Sequence, residues 1–303
     1  FAICYNGCYR IPLQSGGKSM NTLLKNLTIK NNFMFAAVMS EEENCKGFLE
    51  RALSIKIDHV EISTEKNIVY HPEYKGVRLD VYAKDEKNTR YNIEMQVLKQ
   101  PALGRRSRYY QSQMDMELLA KGCEYAELPD SYVIFLCDFD PFGEGKYRYT
   151  FRKSCEETQK ASLKDGRCIM FLNTCGENAE DVPEELVSFL KFVHADLKES
   201  QTDFQDDYVR QVQKSVTHIK GSREMEERFM LLELLMQDER REGRKAGELE
   251  GAREMLQMAL NRFGELPDNL LKTLHQQQDI EVIRSWMETA LKVQSLDEFI
   301  SKM

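Results

Sequence analysis

The sequence predicts an α/β domain over about residues 20–200, followed by an all-helical extension to residue 303. Three observations carry that reading. Arg78-Leu79-Asp80-Val81-Tyr82 and Asn92-Ile93-Glu94-Met95-Gln96-Val97 alternate apolar and polar residues, as half-buried strands do. Tyr132-Val133-Ile134-Phe135-Leu136-Cys137 is continuously apolar, the pattern of a strand buried on both faces in the middle of a sheet. Beyond residue 200 the chain turns charged, and its apolar residues recur at helical spacing.

Composition narrows the class. With 42% hydrophobic and 30% charged residues and a mean hydropathy of -0.54, the chain reads as soluble; no apolar run approaches the roughly 20 residues that span a bilayer. The net charge of -8 opposes broad attraction to nucleic acid but leaves room for a local basic patch. The 8 cysteines show neither a CxxC pair nor zinc-finger spacing, so they read as reduced thiols of a cytoplasmic protein, with Cys137 a core residue.

In chain order, residues 1–19 are expected to be a disordered or non-native extension ahead of Met20, which would make a natural start. Gly16-Gly17-Lys18-Ser19 is not a phosphate loop, because Pro12 stands where the loop needs glycine and no strand precedes it. Asn31 to about Leu53 predicts one or two helices broken near Glu41-Glu42-Glu43. Residues 60–70 predict a strand or a small hairpin around Glu65-Lys66-Asn67. A helix follows from about Arg105, with Gly122 placed to end it. After the apolar strand, Pro141 to Gly145 predicts a turn, Lys146 to Phe151 and Ile169 to Leu172 predict strands, and Pro183 opens a helix.

The two alternating stretches are joined by Asp85-Glu86-Lys87-Asn88-Thr89, a polar turn-forming segment, which predicts an antiparallel hairpin. The hairpin brings Asp80 beside Glu94, with Gln96 on the face of Glu94. Two carboxylates and the Met95 backbone carbonyl suit a hard octahedral cation such as Mg²⁺. The same alternation also describes an ordinary hairpin with a solvated polar face. Lys99, Arg105, Arg106 and Arg108 follow without an acid before Asp115, a surface able to grip phosphates or a solvated helix face paired with neighbouring acids. Tyr109 and Tyr110 are expected to pack that helix. His59, His71, His194, His218 and His275 are isolated in sequence.

In the tail, residues 201–263 predict a helical, coiled-coil-like arm and residues 264–303 a small terminal helical unit. Ser222 is placed as an N-cap, and Met225, Phe229, Leu232 and Met236 form an apolar stripe. Gly243, Gly247 and Gly251 mark either a hinge or a face that a second helix approaches; together they cost about 3 kcal/mol if helical. This tail is where a homo-oligomer would form.

Asn32-Phe33-Met34-Phe35, Arg78-Leu79-Asp80-Val81, Ile93-Glu94-Met95-Gln96, Arg106 through Tyr109-Tyr110, Lys121-Gly122 with Tyr125 and Leu128, and Tyr132 to Phe135 leading into Asp140-Pro141-Phe142 occur in an order that resembles the PD-(D/E)XK nuclease superfamily. The closer likeness is to its recombination-promoting nuclease/putative transposase family, over roughly residues 28–195. The resemblance implies a restriction-endonuclease-like core with a mixed sheet flanked by helices, bacterial origin, DNA as substrate and Mg²⁺-dependent (or Mn²⁺-dependent) phosphodiester hydrolysis. It implies Asp80, Glu94 and the Met95 carbonyl as metal ligands, Asp80, Glu94 and Gln96 as catalytic residues, and Arg105, Arg106 and Arg108 as DNA contacts.

The sequence departs from the superfamily signature in three places. Leu79 replaces the proline before Asp80. Gln96 replaces the signature lysine, and although glutamine is typical of this family it can orient a water without supplying positive charge. Asn31 or Asn32 stands where an N-terminal aspartate is expected. Three functions follow: a metal-dependent DNA endonuclease in recombination or mobile-element biology, a catalytically weak DNA-binding or regulatory module, or an interaction scaffold acting through the helical tail.

Overall fold

The computed structural model describes residues 21–68, 76–158 and 160–303. The extension over residues 1–19, with its phosphate-loop look-alike, and His71 lie outside the described residues. The chain divides into two compact units, one closing at Glu226 and one spanning Glu227–Met303. No helix among the described residues is long and apolar enough to cross a membrane.

The first unit contains α1 (Asn21–Lys25), α2 (Asn32–Met39), α3 (Glu42–Leu53), β1 (Val60–Ile68), β2 (Val77–Asp85), β3 (Arg90–Gln96) and α4 (Leu103–Leu118). It continues with β4 (Ser131–Cys137), β5 (Arg148–Phe151), β6 (Arg167–Asn173), α5 (Glu184–His194) and α6 (Asp207–Gly221). The described strands form one 6-stranded mixed sheet in the order β1-β2-β3-β4-β6-β5. β1, β2 and β3 run antiparallel in succession, β3, β4 and β6 are parallel, and β5 returns antiparallel to β6. This is the α/β sheet flanked by helices that the sequence predicts.

The parallel pairing of β3 with β4 positions the site. Parallel neighbours need a crossover, and α4 supplies it, so the helix that follows Glu94 and Gln96 returns over the sheet. Tyr110 and Met114 of α4 pack with Val133, Phe135 and Cys137 of β4. Glu94 is level with Phe135 and Gln96 with Cys137, which places both polar residues on the face that α4 covers.

Some local expectations change. β1 runs straight through Glu65-Lys66-Asn67 instead of turning back. α4 ends at Leu118, and Gly122 occupies a left-handed turn beyond it (φ 95). α2 and α3 break at Ser40–Glu41 as the acidic run suggests.

α6 belongs to the first unit, whereas the sequence-based boundary at residue 200 assigns it to the arm. It packs against α2, α3 and α5. Asn44 is fully buried and accepts from Gln211 Nε2 at 2.9 Å while its own amide donates to Ser215 Oγ at 2.9 Å. Tyr208 donates its hydroxyl to the Asn44 carbonyl at 2.6 Å. Gly47 permits this approach, because a Cβ there would meet the Tyr208 ring at 2.5 Å. Helical periodicity cannot separate a free arm from a helix that packs back.

α7 (Arg223–Leu260) starts at the end of the first unit, and in the second it leads into α8 (Asp268–Gln276), α9 (Ile280–Lys292) and α10 (Leu296–Lys302). Ser222 Oγ accepts from the Met225 amide at 3.3 Å as an N-cap does. Leu256 and Leu260 at the end of α7 share a core with Leu270, Ile283, Trp286 and Phe299, so the last turns of the arm belong with the terminal helices. Gly243, Gly247 and Gly251 lie inside the unbroken helix with open space where a Cβ would stand. They form neither a break nor a contact face among the described residues.

Candidate active site

The β2–β3 hairpin is built by its own turn. Asp85 Oδ1 accepts from the Lys87 and Thr89 amides at 3.0 and 2.8 Å, and Tyr91 donates its hydroxyl to Asp85 Oδ2 at 2.8 Å. The strands pair from Lys84↔Arg90 to Val81↔Ile93. One step further, side chains take over from the ladder. The Asp80 amide donates to Glu94 Oε1 at 3.3 Å, and the Met95 amide donates to Asp80 Oδ2 at 3.2 Å. Each carboxylate thus reaches across to the other strand, and the structure brings Asp80 and Glu94 together.

The polar face of this hairpin is buried. Glu94 is 0% and Gln96 2% exposed, which removes the reading of a solvated amphipathic hairpin. What covers them is Arg106 of α4. Its Nη2 donates to Glu94 Oε2 at 3.0 Å, its Nη1 to Gln96 Oε1 and Gln100 Oε1, each at 3.2 Å, and its Nε to the Tyr110 hydroxyl at 2.7 Å. Arg106 and Tyr110 are one helical turn apart and meet on the same side of α4.

The cationic cluster therefore divides. Arg105 and Arg108, three positions apart on the other side of the helix, are exposed, while Arg106 turns inward. The sequence left the cluster as a phosphate-gripping surface or a face whose arginines pair with nearby acids; Arg106 takes the second role with Glu94, and helix geometry separates it from the other two. Gln96 is also turned into the protein, with Nε2 donating to the Met95 carbonyl at 2.9 Å and Oε1 accepting from Arg106. The Met95 carbonyl consequently carries a hydrogen bond already.

Burial, and then the Asp80 charge beside it, push the Glu94 carboxyl well above the usual carboxylate range, against the opposing pull of Arg106. The two acids lie next to one another, and Arg106 sets its guanidinium against Glu94. Among the described residues no group of three or more histidine, cysteine, aspartate or glutamate side chains converges as a metal cage. The donors that could hold a cation are the Asp80 and Glu94 carboxylates and the Met95 carbonyl. This small oxygen set fits Mg²⁺, which keeps several waters and takes one or two carboxylates from the protein. Asn31 is occupied elsewhere: its Oδ1 caps α2, accepting from the Phe33 and Met34 amides at 3.0 and 3.3 Å.

A neighbouring network escaped the sequence reading. The Asp138 amide donates to the Gln96 carbonyl at 2.8 Å. Its carboxylate pairs with Lys30 at 3.0 Å, accepts from Thr174 Oγ1 at 2.9 Å and meets His194 Nδ1 at 2.8 Å. His194 is thus not isolated. The available signal was the position of Asp138 directly after the apolar strand, at the carboxyl end of a parallel pair where functional groups of α/β folds gather.

A mixed sheet flanked by helices, with paired carboxylates on a β-hairpin at its edge of parallel pairing, defines a restriction-endonuclease-like α/β protein. The chain belongs to the PD-(D/E)XK nuclease family transposases, whose family profile matches residues 29–243. That match extends past the span of 28–195 suggested by the motifs and takes in α6 and the first half of α7. Membership supports a nuclease- or transposase-like function. The chain matches no curated protein and no solved structure.

Proposed function

We propose that the protein is a Mg²⁺-dependent DNA endonuclease, acting in the cytoplasm in recombination or mobile-element transactions. The observation that carries the proposal is the juxtaposition of Asp80 and Glu94 across the hairpin, with Arg106 over Glu94. Family membership supplies the reaction class.

Asp80, Glu94 and the Met95 carbonyl would hold the cation. When bound, Mg²⁺ supplies charge stabilisation at a phosphate oxygen and a more acidic water. Asp80 and Glu94 orient one another through the opposite strand's amides, so little reorganisation of the backbone is needed. Gln96 would orient the attacking water through its amide. It carries no charge, and Arg106 brings a guanidinium to its Oε1, restoring a cation beside the position where the superfamily carries lysine. Arg105 and Arg108, exposed along α4, would hold flanking phosphates of the DNA backbone. Mn²⁺ would substitute for Mg²⁺ at this all-oxygen donor set.

A second reading, a catalytically weak DNA-binding module, is favoured by one observation: Arg106 already occupies Glu94 Oε2 and Gln96 Oε1. Nicking of supercoiled plasmid by the purified chain separates the two. Cleavage with Mg²⁺ that disappears with EDTA, with Asp80→Ala and with Glu94→Ala supports the endonuclease. A folded chain that retards DNA in a gel without cutting it, in Mg²⁺ or Mn²⁺, supports the binding module.

A further inference from the structure

α6 has two faces of opposite character. Tyr208, Val212, Ser215 and Ile219 are buried in the first unit, while Arg210, Gln213, Lys214 and Thr217 line its outer side at helical spacing. From Tyr208 to Gly221 the helix contains no acidic residue, in a chain whose net charge is -8. A merely solvated helix face interleaves both signs. This one does not.

The outer face of α6 forms one wall of a cleft of about 1000 Å³, closed by the segment around Lys25, Thr28 and Ile29, by Phe192 of α5, and by Ser200 and Gln201. The cleft is lined by Lys25, Arg210, Lys214, His218 and Lys220, and among the described residues by no carboxylate. Arg210 is neutralised by Asp203 at 3.0 Å and by Asp207. Lys25, Lys214 and Lys220 have no ion-pair partner among the described residues. Lys220 is half-buried, and burial pulls its ammonium below the ordinary lysine range. Holding such a group without a counter-charge is unfavourable, and a bound anion would relieve it. Ile29 and Phe192 at the base, with Val216 beside them, add apolar surface, the mixture of apolar lining and few polar anchors that small-molecule sites show.

We infer that this cleft is a phosphate-binding site that takes a nucleotide, free or at the end of a nucleic-acid strand. Its phosphates sit on Lys25, Lys214 and Lys220, and its sugar and base lie toward Ile29, Phe192 and Val216. The site shares no residue with the Asp80–Glu94 hairpin and does not depend on metal-assisted cleavage there.

The test is differential lysine acetylation of the full chain read by mass spectrometry, in EDTA, with thymidine triphosphate in one arm and a short oligothymidylate in the other. Lys292 and Lys302, exposed in the second unit, serve as references. The expected result is that Lys214 and Lys220 are protected several-fold relative to those references. Protection by the triphosphate assigns a free nucleotide, and protection by the oligonucleotide alone assigns a strand. A Lys214→Gln/Lys220→Gln chain, with unchanged thermal melting, then binds the protecting probe about tenfold or more weakly, in line with the loss of charge-assisted hydrogen bonds. Equal acetylation of Lys214 and Lys220 with and without both probes would overturn the proposal. Running the same assay on the Asp80→Ala chain keeps this result independent of the hairpin site.

Discussion

The Arg106 guanidinium lies 3.0 Å from Glu94 Oε2 and also donates to Gln96, so one side chain of α4 closes over both Glu94 and Gln96 of β3. Its charge compensates a carboxylate that is fully buried and faces a second acid. A divalent cation would answer the same electrostatic need.

Arg106→Ala should therefore destabilise the metal-free protein by about 3 kcal/mol, the scale for leaving one member of a buried pair without its partner. It should also free Glu94 Oε2 for a cation. The measurement is thermal melting with and without Mg²⁺: the metal should raise the midpoint of the variant more than that of the parent chain. Identical shifts in the two proteins would refute competition between Arg106 and metal.

The raised carboxyl of Glu94 makes metal-free stability depend on pH. Its folded-state value lies above the unfolded value near 4.3. The stability it contributes is fully present below about pH 4.3 and is lost as pH rises through the folded value, because over that range the folded state holds a proton that the unfolded state has released. In EDTA, as pH rises from the unfolded value through the folded one, the parent chain should lose stability relative to Glu94→Gln. Mg²⁺ binding, which needs the ionised carboxylate, should strengthen over the same interval and release a proton. A parent chain that gains stability over Glu94→Gln as pH rises would contradict the assignment.

The docking of α6 sets the smallest stable fragment. A chain ending at Glu226 should unfold cooperatively, whereas one ending at residue 200 should be protease-sensitive, having lost the partners of Asn44 and the Tyr208 ring over Gly47. Gly47→Ala in the full chain should weaken the same contact, since the added carbon overlaps the Tyr208 ring. Limited proteolysis and urea melting distinguish these cases, and a fully stable 20–200 fragment would restore the shorter boundary.

The glycines of α7 give a prediction of opposite sign. Replacing Gly243, Gly247 and Gly251 with alanine meets open space, and each substitution should stabilise the helix by about 1 kcal/mol. Circular dichroism should show increased helicity on heating. If a second copy of the chain packs its helix on these glycines, the substitutions would instead lower stability in a concentration-dependent way.

The sheet and the carboxylate pair were legible because they rest on local rules. Alternation of period two identifies β2 and β3, the Asp85–Thr89 turn chemistry closes the hairpin, and the register then places Asp80 by Glu94 without further information. Arg106 was singled out in the sequence, but its acid partner was not. The sequence shows three arginines in four positions, and only the docking angle of α4 decides which one meets Glu94. His194 and Asp138 were missed because 56 residues separate them and a parallel crossover joins them. The docking of α6 was not legible on a similar ground: an amphipathic helix does not state what its apolar face meets.

The most direct test of the central claim is electron paramagnetic resonance of Mn²⁺ titrated into the metal-free chain, where bound and free ions are counted separately. Specific binding by the parent chain that is lost in Asp80→Ala and in Glu94→Gln, with both variants folded, is the predicted result. Mn²⁺ bound equally by the parent and both variants would place the cation elsewhere and contradict the site.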